Sequence, residues 1–206
     1  MNKQTGFTLI EISIVLVIIG LILGAVLLRS GSVIGNTKAT STIALIKDLS
    51  AATNDFKSRY HYLPGDLPNA GDDIPGITTN YPECNIAPPG NIGNGLIDTP
   101  TEIGCVSKEL VLAGFIKGSA TGIVSPFNGG TTPDVFVRSA NTSAVNVAAV
   151  NPFPPTVQNV IEIQGIPCDA ASTIDSKIDD SIATAGNVMY TPTPCTNGVT
   201  TLDVAL

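Results

Sequence analysis

The run from Phe7 to Leu28, FTLIEISIVLVIIGLILGAVLL, is 22 residues long and carries a single charge, at Glu11. About 20 apolar residues cross the hydrocarbon core of a bilayer as a helix. The run therefore predicts one membrane span. A secretory signal peptide competes for the same residues, but its apolar core runs to about 7–15 residues and ends at a small-residue cleavage site. Here the run is longer, an acid interrupts its start, and Arg29 ends it without an A-x-A pattern. An ionised side chain facing lipid is unfavourable by about 2.5–3.5 kcal/mol on insertion scales, so an acid inside a span commonly faces a partner. Glu11 also lies near the start of the run, where interfacial water could hydrate it. Both readings of the acid remain open on these grounds alone.

A chain of 206 residues allows one span and one globular domain. With 17 Asp+Glu against 10 Lys+Arg, the net charge of −7 argues against capture of nucleic acid or anionic lipid by the soluble part. All four cysteines, Cys84, Cys105, Cys168 and Cys195, follow the span. An even set on one side predicts two disulfides in an oxidising compartment. Three pairings are possible, and the sequence-local one, Cys84 with Cys105 and Cys168 with Cys195, is the expected one. Free buried thiols are the alternative. Zinc lacks a ligand set, because no C-x-x-C occurs and the lone histidine is His61. Lys3 flanks one end of the span and Arg29 and Lys38 the other, so charge does not orient it. The cysteines do, placing the carboxy-terminal part outside the cytoplasm.

Phe7 to about Tyr60 reads as one long helix, or two continuous pieces of it. Past the apolar run, Ile43, Ile46, Leu49, Thr53, Phe56 and Tyr60 recur at spacings of three and four, with Lys47, Asp48, Asp55, Lys57 and Arg59 between them. Gly31 and Gly35, with Ser30, Ser32 and Asn36, predict a kink or frayed turn over residues 29 to 37. Pro64 and the Gly65-Asp66 turn end the helix. Seven prolines between Pro64 and Pro100 predict a long irregular loop. A short helix is expected around Glu102 to Phe115, and another after Asp169 with Ala171, Ile174 and Ile178 on one face. The runs TGIVS, DVFVR, AVNVAAV, VQNVIEIQ, GNVMYTP and GVTTLDVAL predict about four to six short antiparallel strands. The expected fold class is α+β, a long helix whose stripe is buried on a small sheet.

Few residues suggest chemistry in the soluble part. GNGLIDTPTE offers oxygen ligands at Asn94, Asp98 and Glu102, but the early positions of a calcium loop lack acids and an ordinary Asn-Gly turn explains it as well. Asp179-Asp180 reads as a helix end, and Asn141-Thr142-Ser143 is a short glycosylation sequon. No G-x-S-x-G or H-E-x-x-H pattern accompanies His61, and Asp72-Asp73 lies in a Pro/Gly loop, so an enzyme is not expected. No cofactor is expected either.

The amino terminus, MNKQTG followed by FTLIEISIVLVIIGLILG, resembles that of type IV prepilins and type II secretion pseudopilins. The resemblance rests on a short leader with Lys3, Gly6 at the cleavage point, Phe7 as first mature residue, Glu11 four residues on, and the apolar helix. It implies a pilin-like fold and cleavage between Gly6 and Phe7 by a prepilin peptidase, which also methylates the new amino group. Glu11 would then neutralise the Phe7 amino group of a neighbouring subunit as filaments leave the membrane. Cleavage removes Lys3, so Lys+Arg falls from 10 to 9 against 17 acids and the side-chain charge moves from −7 to −8. Gly20 and Gly24 form G-x-x-x-G, which lets helices approach closely, and Gly20 matches the family's glycine, where the helix can loosen in filaments. Leu28 stands where many major subunits carry proline, which favours a minor subunit. YHYLPGDLPNAG, GNGLID with Glu102, LVLAGFIKG and IDSKIDD…GNV resemble a group of pilin-like proteins known mostly by sequence.

The implied organisation is a leader at residues 1–6, a membrane and polymerisation helix at 7–28, its amphipathic continuation at 29–62, and a disulfide-stapled head at 63–206. The implied partners are the prepilin peptidase, other pilin or pseudopilin subunits and an inner-membrane assembly platform. The implied location is the bacterial inner membrane, single-pass, with the head in the periplasm or on an extracellular filament. The reading from a different class is a monomeric, membrane-anchored binding module outside the cytoplasm.

Overall fold

The computed structural model describes residues 8–88, 90–130, 132–145, 153–191 and 198–206, without the side chains of 25–33. By packing, the chain divides into two compact units, Met1–Thr37 and Lys38–Leu206. The first helix, α1, is Leu9–Tyr60. Residues 29–37, where a kink or fray is expected from the glycines and serines, are helical.

In the first unit, every described side chain from Thr8 to Gly24 is exposed, Leu9 at 89% and Leu21 at 70%. Among the described residues, no helix is long and apolar enough to cross a membrane. The run Phe7–Leu28 starts at a residue outside the described set, and its side chains beyond Gly24 also fall outside it.

In the second unit the helical stripe is buried as its spacing requires. Ile46, Leu49, Thr53 and Phe56 are covered, with Ile43 and Tyr60 packed at the margin. Phe56 anchors a group of rings, 4.6 Å from Tyr60 and 5.7 Å from Phe115 between centroids. The chain then turns at Leu63–Asp66, where the Asp66 amide bonds the Leu63 carbonyl at 3.1 Å. The expected irregular loop holds two helices of one turn, α2 (Ala70–Asp73) and α3 (Ile77–Asn80), and a 3-10 turn at Pro82–Cys84. It is stapled by the disulfide Cys84–Cys105 to α4 (Pro100–Leu112). The start of α4 is a capping box: the Thr99 hydroxyl accepts from the Glu102 amide while the Glu102 carboxylate accepts from the Thr99 amide.

Among the described residues four strands follow: β1 (Val135–Ser139), β2 (Asn159–Pro167), β3 (Val188–Thr191) and β4 (Val199–Ala205), in antiparallel order β1-β2-β4-β3. A helix, α5 (Cys168–Ile178), connects β2 to β3. The alternation of the strands assigns two faces. Val135, Val137, Ile161, Ile163, Val188, Leu202 and Val204 join α1, α4 and α5 in one core. Val160 and Met189 face the other way and pack with Ala140, Val145 and Phe153. The register of β2 and β4 shifts between Ile163 and Ile166, where Gly165 takes φ +71, as a bulge needs.

The architecture is α+β, an amino-terminal helix and a small four-stranded antiparallel sheet. Two expected strands differ. TGIVS contributes only the bridge Ile123 to Val135, because Gly122 sits against the Pro133 ring and Pro126 cannot extend the ladder. In AVNVAAV, Ala144 and Val145 are helical and 146–150 lie outside the described residues.

Candidate functional site

Local chemistry fixes the start of α1. The Thr8 amide and hydroxyl both donate to Glu11 Oε2, at 2.7 and 2.8 Å, and the Glu11 amide donates back to Thr8 Oγ1 at 3.4 Å. This is the reciprocal pattern of a capping box, with an acid in the first turn where the helix dipole favours one. Thus Glu11 has a structural task within its own chain. It holds the helix start, and its carboxylate is exposed on an apolar surface formed by Leu9, Ile10, Ile12 and Ile14. Gly6 and Phe7 lie outside the described residues. Gly20 and Gly24 have open space where a side chain would project.

In the head, two stretches distant in sequence are tied by one acid. Asp66 is buried, and its carboxylate accepts the amides of Gly93, Asn94 and Gly95, the last at 2.7 Å. This joins LPGDLP to GNGLID. Burial pushes the Asp66 carboxyl up, against the pull of those three amides. Beside it, Gly65 donates its amide to Glu109 Oε2 at 2.7 Å and takes φ +86 with no room for a side chain, because the Glu102 carbonyl would be 2.4 Å away. Glu109 Oε1 is buried without a partner. Burial raises the Glu109 carboxyl to about 8, and the Asp66 charge adds to the rise.

On the second face of the sheet, Glu162 accepts from Arg138, Gln164 and the Ala144 amide. Asp203 lies directly opposite Glu162 in the register. Burial raises Asp203 to about 7, opposed by the Ser143 hydroxyl and raised further by Glu162.

The other residues singled out by sequence are placed as follows. Cys84 pairs with Cys105, and Cys168 is also disulfide-bonded, while Cys195 lies outside the described residues. Of the loop oxygens, Asn94 Oδ1 accepts the Leu96 amide and Glu102 Oε2 accepts the amides of Asp98 and Thr99, so two of the three are engaged by backbone. His61 is exposed just past α1 at φ 65, and Asp72 and Asp73 are exposed on α2. Asp179 caps α5, as the sequence suggests. The structure also brings Asp179 and Asp180 together with Asp175. Burial raises Asp175 to about 6, with the charges of Asp180 and Asp179 adding to it.

Residues 1–27 match the family described as the prokaryotic N-terminal methylation motif. The chain carries the class III signal peptide of type IV pilins and pseudopilins. That motif supports a pilin- or pseudopilin-like substrate of a prepilin peptidase, and it points to anchoring in a membrane and to a structural role. No curated protein and no solved structure matches the chain.

Proposed function

We propose that the chain is a structural subunit of a type IV pilus or type II secretion pseudopilus, cut between Gly6 and Phe7, methylated on Phe7, and polymerised through its amino-terminal helix α1. The observation that carries this reading is the methylation motif over residues 1–27, with Glu11 in its place on an exposed apolar helix. A helix surface of exposed leucine and isoleucine is unfavourable in water and marks contact with lipid or with other subunits. In such surroundings a carboxylate and an ammonium, each unfavourable alone, favour a neighbour that pairs them, which gives Glu11 control of axial register. The assembly platform of the inner membrane is the proposed partner, and Leu28 in the position of the family's proline favours a minor subunit. The head folds as a disulfide-stapled unit on the extracytoplasmic side and is not catalytic.

Glu11→Ala tests the assembly step. Removing one partner of a buried pair costs about 3–5 kcal/mol, and about 1.4 kcal/mol is already tenfold in an equilibrium. The variant should be cleaved and remain in the membrane fraction but be lost from sheared filaments or from the pseudopilus. Incorporation equal to wild type would contradict the pairing role, and absence of the wild-type chain itself from filament and pseudopilus would favour a monomeric membrane-anchored binding module.

A further inference from the structure

We infer that Asp175, Asp179 and Asp180 hold one divalent, oxygen-seeking cation of the calcium class at the end of α5. This goes beyond the filament reading and does not depend on it. One carboxylate oxygen from each residue lies within 4.8 Å of the others. Calcium binds oxygen at about 2.3–2.6 Å, so ligands on opposite sides of one ion are separated by up to about 5 Å. All three acids can therefore reach a single ion.

A second observation makes this more than a cluster of surface acids. Asp175 has no accessible surface, and neither of its carboxylate oxygens has a hydrogen-bond partner. The Ser181 amide faces it without reaching hydrogen-bonding geometry. A buried, unpartnered carboxylate is strongly unfavourable unless a charge compensates it. Among the described residues no protein cation forms an ion pair with it. Lys177, the basic residue in the last turn of α5, directs its ammonium to Thr40 Oγ1 at 3.2 Å. The ion pairs among the described residues are Lys108 with Glu83 and Arg138 with Glu162.

The location adds to the imbalance. The carboxy-terminal end of a helix carries partial negative charge from its unpaired carbonyls, which disfavours acids. Asp179 is the C-cap of α5 and Asp180 follows it, so three carboxylates crowd the negative pole of one helix. Their other contacts hold them in place. Asp179 Oδ2 accepts the amides of Asn187 and Val188, and Asp180 Oδ1 accepts the Ile182 amide at 2.8 Å. Each thus has one oxygen engaged by backbone and one left for an ion. Asp180 is exposed and gives the ion access from solvent, whereas Asp175 closes the inner side.

The test is calcium titration of the full chain in detergent by calorimetry, after removal of metal with EDTA. One equivalent should bind with a dissociation constant of about 10⁻⁴–10⁻³ M, the range of extracytoplasmic calcium modules. Melting should rise with calcium concentration, as binding to the folded state alone requires. Asp180→Asn, an exposed substitution, should weaken binding at least about tenfold while melting in EDTA stays as in wild type. Asp175→Asn should abolish binding and, by removing an uncompensated buried charge, raise the melting temperature in EDTA. Absence of calcium binding to wild type would overturn the assignment. Equal affinity in Asp180→Asn would overturn it too, since the ion would then sit elsewhere.

Discussion

Three acids in this chain are explained by what their oxygens touch. Glu11 holds the first turn of α1, so its placement in an apolar run satisfies a local need before any subunit pairing. Asp66 satisfies the amides of three consecutive residues across 27 to 29 positions of sequence. Glu109 anchors the Gly65 amide from inside the core. A hydrogen bond to a charged group contributes about 1.5–3 kcal/mol. Asp66→Ala should therefore lower the stability of the head by at least about 2–3 kcal/mol, whereas Asn94→Ala, which loses one exposed bond to Leu96, should cost less than about 1 kcal/mol. Chemical denaturation in detergent measures both. Equal effects would mean that Asp66 does not organise the loop.

At the scale of elements, the stripe on α1 from Ile46 to Tyr60 is held by burial, and Phe56 is its centre. Phe56→Ala should cost about 3–5 kcal/mol by leaving a cavity among Tyr60, Phe115 and the core. Lys57→Ala, one residue along and exposed, should stay within about 0.5 kcal/mol of wild type in the same denaturation series. The helices of α1, α4 and α5 and the strands of β1 to β4 were readable because each repeats its apolar period over several turns or pleats. The one-turn helices α2 and α3 were not, since four residues are too few to show a period. TGIVS had the composition of a strand, but Pro133 and Pro126 decide its pairing. The amino-terminal methylation motif was legible because its residues are contiguous. The junction of Asp66 with Gly93–Gly95, and the meeting of Asp175 with Asp179 and Asp180, depend on burial and on tertiary approach. Only the turn residues around Asp66 and the helical spacing of Asp175 and Asp179 hinted at them.

For the second unit taken whole, buried carboxyls set a direction for its pH dependence. The folded chain raises Glu109 from 4.5 to about 8 and Asp203 from 3.8 to about 7. Between those limits the folded state keeps protons that the unfolded state has released, so stability falls as pH rises. The contribution is complete below the unfolded values and is lost through the folded ones. The head should melt at a higher temperature near pH 5 than near pH 8, and Glu109→Gln, which stays neutral, should reduce that difference. A melting temperature that rose over this interval would show that these carboxyls are ionised in the folded state.

The claim that joins residue, helix and whole molecule is that this chain is processed as a pilin-like subunit. Peptide mass spectrometry of the chain from membrane and sheared filament fractions of cells that make it tests this most directly. A peptide beginning at an N-methylated Phe7 is expected, in the sheared fraction for a pilus subunit and in the membrane fraction for a pseudopilin or a minor initiating subunit. A terminus still beginning at Met1 in both fractions would contradict processing and with it the assembly of the helix into a filament.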